Sequence, residues 1–418
     1  MSILMGFVGV VVLLGIAFIF SNNRKSINPR TIFGALALQM SIPALVLLTD
    51  SGAAVLKSIS SGVQAVINSA NAGIGFLFGP LTSGKMFDVF GSDGFVFALK
   101  VLPVIIFFAA LMSVLYHLNI MQFVIKVFGG GLHKLLGTSR TESMSAAANI
   151  FVGQTEAPLV VKPYIAKMTN SELFAIMAGG LASVAGAVLV GYASLGISLD
   201  YLLAASFMAA PGGLLMAKIL IPETEEVNQS YEIHTVDEME EEAAAVNVLD
   251  AAAIGASSGL QLAMNVGAML LAFIALIALL NMMLGGIGGW FGYPELTMEM
   301  ILGYLFSPVA YIIGIPWSEA MNAGSLLGQK LVLYEFVAYV DFVANKELFS
   351  EHSTAILTVA LCGFANLSSV AILLGGLGVL APSRRQDIAR LGLTAVLAGT
   401  LSNFMSATLF GIFLGIAG

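Results

Sequence analysis

Residues 153–167 read GQTEAPLVVKPYIAK, a moderately apolar stretch with basic residues towards both ends of its segment. Arg140 precedes the stretch, and Lys162 and Lys167 lie near its C-terminal end. Because the cytoplasmic loops of membrane proteins are enriched in Lys and Arg, both ends belong on the same side of a membrane. A segment that starts and ends on one side does not cross the bilayer. We therefore predict a re-entrant helical hairpin over residues 137–167.

A second part of the sequence looks like a copy of the first. Residues 333–345, LYEFVAYVDFVAN, precede the span ILTVALCGFANLSSVAILLGG, as the first hairpin precedes LFAIMAGGLASVAGAVLVG. Each copy has a glutamate that we expect to be buried in its hairpin, Glu156 or Glu335, followed by a span that small and polar residues interrupt. The hairpin predicted over residues 314–347 enters from the opposite side, so the copies form an inverted repeat. Paired broken helices, and non-helical tips such as Val152–Thr155, indicate a binding site near the membrane midplane.

Long apolar segments surround these hairpins. Only 10% of the 418 residues are charged, whereas soluble domains contain roughly 25%. Segments of about 20 apolar residues can cross a bilayer as helices. We predict eight such helices, at residues 3–20, 31–49, 95–117, 171–197, 201–221, 255–284, 354–380 and 391–417. The predicted fold is an all-α polytopic membrane protein with about eight transmembrane helices plus two re-entrant helical hairpins.

Basic residues orient the predicted helices. Arg24 and Lys25 follow the first apolar run instead of preceding it, which favours an anchoring helix with its N-terminus outside over a signal peptide. This orientation places 12 of the 17 Lys and Arg residues on the cytoplasmic side, whereas the reverse orientation leaves five there. We therefore expect both termini to face the periplasm or exterior.

The composition excludes several kinds of site. The single cysteine, Cys362, allows neither an intramolecular disulfide nor a cysteine-based metal cluster. The sequence contains no Walker loop, zinc-protease helix or nucleophile elbow. Ten of the 25 acidic residues lie between Glu223 and Asp250, where there is no Lys or Arg, and this segment is predicted to be a solvated acidic loop.

Polar residues in the two copies are the candidates for binding. An ionised carboxylate inside a membrane costs roughly 2.5–3.5 kcal/mol, so Glu156 and Glu335 serve either a substrate or a helix–helix hydrogen bond. Neutral donors and acceptors accompany them: Asn149, Gln154, Thr155, Ser183, Asn366, Ser368 and Ser369. No basic residue belongs to this set, which suits a polyhydroxylated or amide-bearing solute better than an anion.

A cation site and an aromatic contact are also predicted. Broken helices expose backbone carbonyls, which are suitable ligands for Na⁺. Asn149, Val152 and Ser183 lie where the first hairpin tip and the first broken span can meet, so we expect the cation there. Phe364 either stacks on an aromatic ring of a substrate or packs in the core, and the sequence leaves both open.

Three strings resemble those of the concentrative nucleoside transporters: SAAANIFVGQTEAPLVVKPYI, EFVAY and CGFANLSSVAILLGGLG. The resemblance extends over almost the whole chain. The resemblance implies a homotrimer in a bacterial inner membrane that imports nucleosides such as uridine with a Na⁺ gradient, without an organic cofactor or a nucleic acid partner. It also implies an elevator mechanism, in which a transport domain slides through a scaffold. The implied boundaries are scaffold parts at 1–125 and 255–300, transport repeats at 126–221 and 301–418, and an acidic cytoplasmic loop at 222–254.

The same resemblance assigns roles to individual residues. The nucleobase is expected to contact Gln154, Thr155, Glu156 and Val188. The ribose is expected to contact Glu335, Asn366 and Ser369, with Phe364 beside the pocket. The Na⁺ ligands are expected to be Asn149, Val152, Ser183 and Val184. Tyr334 departs from the family, which usually has Asn before this glutamate, and we hypothesise that it perturbs the hairpin tip. These positions favour neither pyrimidines nor purines.

Other functions remain to be weighed against this one. Coupling to protons instead of Na⁺ is the nearest alternative because Glu156 and Glu335 can titrate, although Asn149 and Ser183 are neutral ligands that favour Na⁺. A membrane-embedded enzyme would need a nucleophile with a base, or a metal set, and the sequence contains neither. A channel would need pore-lining rings of polar groups from symmetric subunits, whereas the inverted repeat favours alternating access.

Overall fold

The chain folds into helices connected by short segments. The computed structural model describes residues 2–83, 85–90, 94–227 and 245–417. The helices are α1 (Ser2–Ile19), α2 (Pro29–Leu48), α3 (Asp50–Phe78), α4 (Lys85–Phe90), α5 (Phe97–Lys100), α6 (Leu102–His117), α7 (Ile120–Leu136), α8 (Arg140–Ala148), α9 (Lys162–Ile165), α10 (Asn170–Ala182), α11 (Gly186–Ser194), α12 (Leu199–Leu220), α13 (Val248–Trp290), α14 (Met298–Ile312), α15 (Trp317–Val332), α16 (Glu335–Ala344), α17 (Glu351–Leu361), α18 (Ser369–Leu380) and α19 (Arg385–Ala417).

The apolar helices are those of a polytopic membrane protein. Within the described residues, six helices are long and apolar enough to cross a bilayer, and the bent pair of α14 and α15 adds a seventh candidate. Helices α1 and α18 are apolar but shorter. Each predicted apolar segment coincides with one or two of the helices above. The predicted all-α polytopic fold is confirmed.

Helix α3 lies in a part of the chain where hydropathy alone predicted no span. Its sequence mixes polar residues with apolar ones, and its buried positions, such as Leu56, Ser60, Ile67 and Ile74, recur at helical spacing. Thr49 caps the helix by accepting a hydrogen bond from the N–H of Gly52. Averaged hydropathy hides such periodic burial, because the polar face offsets the apolar one.

Hairpin 1, residues 140–165, consists of α8, a non-helical tip and a second arm that ends in α9. Its first arm meets the helix that follows the hairpin: the Thr141 hydroxyl, at the start of α8, donates to Glu172 Oε1 at the start of α10, over 2.9 Å. The capping boxes of α8 and α10, built on Ser139 and Thr169, fix where these helices begin. The starts of the first arm and of the helix after the hairpin therefore have a local sequence origin.

Hairpin 2, residues 317–348, consists of α15 and α16 joined by Leu333 and Tyr334. The arms pack against each other, and Gln329 Nε2 donates to Asp341 Oδ2 over 2.6 Å across them. The ends also meet, since Glu319 Oε2 accepts from the N–H of Ser350 over 3.2 Å. The order hairpin, broken helix and long helix thus occurs once from α8 to α12 and again from α15 to α19.

Several of the basic residues on which the predicted orientation rests bind neighbouring parts of the chain. Arg30 Nη2 donates to the carbonyl of Lys134 over 3.1 Å, and Arg384 Nη1 donates to the carbonyl of Met168. Lys218 forms a hydrogen bond with the first turn of α10. The two termini meet elsewhere: a Cβ on Gly415 would lie 2.8 Å from Ile3 Cγ1. A chain whose two termini lie at the same end crosses the membrane an even number of times.

Helix α13 begins at Val248 and ends at Trp290, earlier at both ends than the predicted boundaries of 255 and 300. Asn247 caps it, because its side-chain oxygen accepts from the N–H groups of the first turn. Within the predicted acidic loop at 222–254, residues 228–244 lie outside the described residues. Glu223 accepts a hydrogen bond from the Thr169 hydroxyl over 2.8 Å, so this part of the loop is docked and not simply solvated.

Helices α1 and α2 pack against α12 and α19, which belong to the two repeats, whereas α6 packs along α13. The resemblance had implied that residues 1–125 form one scaffold part. The contacts divide this part between α1 and α2 on one side and α6 on the other. We propose that α1 and α2 accompany the transport repeats, because their packing partners are α12 and α19.

Candidate substrate and cation sites

The breaks in the two repeats lie next to each other. Helix α10 ends at Ala182, the next residue, Ser183, has an extended backbone, and α11 starts at Gly186. The break after α17 contains Gly, Asn and Ser residues, which compete with helix formation through backbone freedom or side-chain hydrogen bonds. The N–H of Phe364 donates to the carbonyl of Ser183 over 3.0 Å, so one break satisfies a free backbone group of the other.

Glu335 lies at the centre of this region and is completely buried. The Tyr192 hydroxyl donates to Glu335 Oε1 over 3.1 Å, and Asn366 Nδ2 donates to Oε2 over 2.8 Å. Each carboxylate oxygen therefore has a neutral donor. A neutral donor can exchange for a substrate hydroxyl without leaving an unpaired charge of its own in the pocket.

Asn366 links Glu335 to the start of α18. Its Oδ1 accepts from the Ser369 hydroxyl and N–H, both over 2.9 Å, and from the Ser368 hydroxyl over 2.7 Å. These bonds fix the amide so that its nitrogen points at Glu335. The sequence-predicted residues Glu335, Asn366 and Ser369 are thus brought together in one chain of hydrogen bonds.

The tip of hairpin 1 meets the same region from the other side. A Cβ on Gly153 would lie 3.2 Å from Ala185 Cβ and 3.9 Å from the ring of Phe364. The N–H of Gly153 donates to Glu156 Oε2 over 3.2 Å, which places the carboxylate at the tip. Glu156 is nevertheless exposed, so the expectation that it is buried is wrong. Its carboxylate stays close to the tip, since Oε2 lies 4.0 Å from where a Cβ on Gly153 would be.

The remaining predicted nucleobase contacts surround this tip. Gln154 is 5% exposed, and its Oε1 has no hydrogen-bond partner in the described part of the chain. Thr155 is exposed and reaches α18, where a Cβ on Gly376 would lie 2.9 Å from its methyl carbon. Val188 is buried on α11 one turn before Tyr192, and hence on the helix face that holds Glu335.

The candidate cation ligands also gather, at the C-terminal end of α10. Asn149 is 1% exposed, and neither its amide oxygen nor its amide nitrogen has a partner among residues 2–83, 85–90, 94–227 and 245–417. Its Nδ2 lies 3.4 Å from where a Cβ on Gly179 would be, one turn before Ser183. A buried amide without partners is costly, and a bound cation would satisfy its oxygen.

The backbone around Asn149 supplies further oxygen atoms. Val152, Ser183 and Val184 are buried, and the Ser183 hydroxyl donates to the carbonyl of Gly180 over 3.2 Å, which leaves its lone pairs available. The C-terminal end of a helix carries a partial negative charge that favours a cation. This donor set of neutral oxygens fits Na⁺. No group of three or more His, Cys, Asp or Glu that could hold a metal ion occurs in the described ranges.

Sequence reasoning missed three residues of this region. Tyr192 holds Glu335, as described above. Lys330 is 1% exposed, and Asn403 is 2% exposed within the apolar helix α19. Lys330 Nζ donates to Asn403 Oδ1 over 2.7 Å. The available signal was the presence of a charged or amide side chain within an apolar setting, which marks function in membrane proteins.

Known families match most of the chain. Residues 201–411 match the family described as "Na+ dependent nucleoside transporter C-terminus", residues 8–81 match its N-terminus, and residues 98–199 match "Nucleoside recognition". The nucleoside permease NupC of Helicobacter pylori is 52% identical, over 99% of this chain and 99% of that protein. Human solute carrier family 28 member 3 is 38% identical, over 98% of this chain and 60% of that protein.

Solved structures of the transporter CNTnw have the same fold. The inward-facing substrate-bound state gives a TM-score of 0.95 at 56% identity, over 100% of this chain and 99% of that one. A substituted form of CNTnw in an outward-facing state gives a TM-score of 0.97 at 56% identity, with the same coverage of both chains. The relatives are permeases and transporters of bacteria and animals, not enzymes. The chain therefore belongs to the concentrative nucleoside transporter family, as a transporter of the bacterial type.

Proposed function

We propose that the protein is a Na⁺-coupled symporter that imports nucleosides such as uridine. The single observation that supports this most strongly is the convergence of both hairpins and both helix breaks on one set of polar groups. Glu335 and Asn366 offer an acceptor and an amide to ribose hydroxyls, and the tip residues Gln154, Thr155 and Glu156 offer contacts to a nucleobase.

The cation site supports Na⁺ as the coupling ion. Asn149 and the break at Ser183 supply neutral oxygens, and the C-terminal end of α10 adds a favourable dipole. The bond between the N–H of Phe364 and the carbonyl of Ser183 connects this site to the substrate region. A cation that orders the break therefore also positions Phe364, which gives a physical route for coupling.

Proton coupling is the second candidate. The fully buried carboxylate of Glu335 is a group that could accept a proton, and its two donors are neutral. In that case, Asn149 would need another partner for its amide oxygen. We prefer Na⁺ because Asn149 is buried without a partner among the described residues.

The proposed transport cycle is of the elevator type. Hairpins 1 and 2 are re-entrant, and they move with α10–α12 and α17–α19 past a scaffold that contains α6 and α13. The apolar face of α13 is broadly exposed in the single chain, with Leu271 at 75% and Met264 at 62%. This face fits lipid or neighbouring subunits, and we propose a homotrimer in a bacterial inner membrane. Native mass spectrometry distinguishes one copy of the 43.6 kDa chain from three.

Radiolabelled uridine uptake into proteoliposomes tests the function. We expect accumulation with an inward Na⁺ gradient and none with a proton gradient alone. Accumulation with a proton gradient alone would support nucleosides as the substrate but reject Na⁺ as the coupling ion. Equilibration without accumulation would indicate a channel, and an absence of uptake of every nucleoside would contradict the proposal.

A further inference from the structure

Lys330 has a role that the substrate and Na⁺ sites leave unexplained. Its side chain is 1% exposed near the end of α15, in the arm that leads to the tip of hairpin 2. Its ammonium group donates to the carbonyl of Ala360 over 2.6 Å and to Asn403 Oδ1 over 2.7 Å. Both acceptors are neutral. A buried ammonium group is costly, so its retention here calls for a compensating interaction.

The end of α17 supplies one compensating interaction. Ala360 belongs to the last turn of this helix, whose final carbonyls have no intrahelical partners. The same carbonyls carry the negative end of the helix dipole, which favours a cation. Lys330 therefore occupies the kind of position that a free cation would otherwise occupy, at the end of a broken helix.

The first repeat presents the same arrangement without a lysine. There, Ser183 is the C-cap of the broken helix α10, and Asn149 is the C-cap of α8 in hairpin 1, with an amide that has no partner in the described residues. In the second repeat, Cys362 is the C-cap of the broken helix α17, and the first arm of hairpin 2 provides Lys330. Each site thus combines a hairpin arm with the carbonyl end of the helix that follows it.

Asn403 joins the two arrangements. Its Oδ1 accepts from Lys330, while its Nδ2 donates to the carbonyl of Ala182 over 2.6 Å and to that of Cys362 over 3.1 Å. Gly363 is required beside it, because a Cβ at that position would overlap the Asn403 amide. The ammonium group is therefore hydrogen-bonded, through one amide, to the ends of both broken helices.

We propose that Lys330 is a tethered cation that fills, in the second repeat, the position that Na⁺ takes in the first. The protein therefore supplies one of two symmetry-related cations from its own chain and needs only one from solution at this pair of sites. The analogy rests on the proposed Na⁺ site, but the second-repeat site has its own test. Replacing Lys330 by a small residue should open a new site for Na⁺.

Binding of ²²Na⁺ to the purified full chain, counted per chain, tests this proposal. We expect Lys330→Ala to bind one Na⁺ more than the wild type, and its uridine uptake to be lost at low Na⁺ and restored at high Na⁺. Lys330→Met is the matched control. It fills the same volume without a charge or a gap, so it should bind no additional Na⁺ and should not be rescued.

Each outcome is decisive. Equal Na⁺ counts for folded Lys330→Ala and wild type would overturn the proposal, as would an extra ion in Lys330→Met. Lys330→Ser serves as a second variant with room for the ion and an added oxygen ligand. Failure of both small variants to fold at any Na⁺ concentration would also overturn it, because a free cation should replace a tethered one. If the wild type binds no Na⁺ and couples uptake to protons, the proposed Na⁺ coupling is rejected. The difference in bound Na⁺ per chain between Lys330→Ala and the wild type still tests the role of Lys330.

Discussion

At the scale of single residues, the pocket depends on a few side chains that secure one another. Asn366 is oriented by Ser368 and Ser369 and in turn donates to Glu335, whose other oxygen accepts from Tyr192. Because each group has its partner within the protein, the site is ordered before a nucleoside arrives. Such preorganisation lowers the entropy cost of binding.

Glu335→Gln is predicted to reduce nucleoside uptake severely. The amide keeps the shape of the side chain but replaces a charge-assisted hydrogen bond, worth roughly 1.5–3 kcal/mol, and turns one acceptor into a donor that faces Tyr192 or Asn366. This loss corresponds to roughly a 10- to 150-fold fall in kcat/KM for uridine. The exposed Glu295 provides a matched control, Glu295→Gln, which should behave as wild type. Wild-type uptake by a folded Glu335→Gln protein would reject the assigned pocket.

Asn149→Ala is predicted to raise the Na⁺ concentration needed for half-maximal uptake by about tenfold or more, because an ion ligand is lost. The apparent affinity for uridine at saturating Na⁺ should change less. Asn265→Ala, an exposed asparagine on α13, is the control. An unchanged Na⁺ dependence in Asn149→Ala would place the cation elsewhere.

Tyr334→Asn tests the departure at the tip of hairpin 2. Tyr334 is the N-cap of α16 but makes no capping hydrogen bond, and it is 8% exposed within the core. Asparagine would add a cap worth about 1 kcal/mol, whereas losing a buried aromatic costs about 3 kcal/mol or more. We therefore expect a lower melting temperature and an altered KM for uridine, since Tyr334 adjoins Glu335. If transport rate, KM and melting temperature all stay the same, Tyr334 does not perturb the tip.

At the scale of elements, the site depends on how closely the tip of hairpin 1 packs on α10. A Cβ on Gly180 would lie 2.9 Å from Gln154 Cβ, against a part of the tip that is itself buried. The glycine therefore sets the distance between the tip and the helix that ends at the cation site. Close packing of this kind transmits a change in either element to the other.

Gly180→Ala is predicted to destabilise the protein by about 1–3 kcal/mol through overpacking and to weaken both uridine and Na⁺ affinity, because Gln154 must move. Gly130→Ala is the control. Gly130 lies within helix α7, and a Cβ at this position would have no neighbouring atom within 4 Å, so the change should be neutral or slightly stabilising. Thermal stability and uptake measured on both variants check the prediction. Equal behaviour of the two variants would mean that the tip does not depend on this contact.

At the scale of the whole molecule, the two ends of the helical assembly differ in charge. Lys and Arg residues from distant parts of the chain meet at one end, whereas the termini pack together through α1 and α19. By the enrichment of basic residues in cytoplasmic loops, the basic end is predicted to face the cytoplasm and the termini the exterior.

Single-cysteine labelling of a Cys362→Ala protein checks this orientation. A membrane-impermeant maleimide is expected to label Ile416→Cys in intact cells, because Ile416 is exposed next to the C-terminus. Lys25→Cys, at the basic end, should be labelled only after the cells are opened. Labelling of Lys25→Cys in intact cells would show that the topology is the reverse of the predicted one, and that each hairpin enters from the opposite side.

The amino-acid sequence by itself determined the helical class and the apolar spans, and it predicted the two hairpins and most polar residues of the candidate site. It could do so because hydropathy, charge and capping are local properties: Ser139 and Thr169, for example, set the starts of α8 and α10 within one turn. Only the tertiary structure decided that Tyr192 holds Glu335, that Lys330 meets Asn403 and that Glu156 is exposed while Glu335 is buried. The first two contacts join residues 143 and 73 positions apart. Such contacts depend on how whole helices pack, and no local pattern of residues specifies that packing.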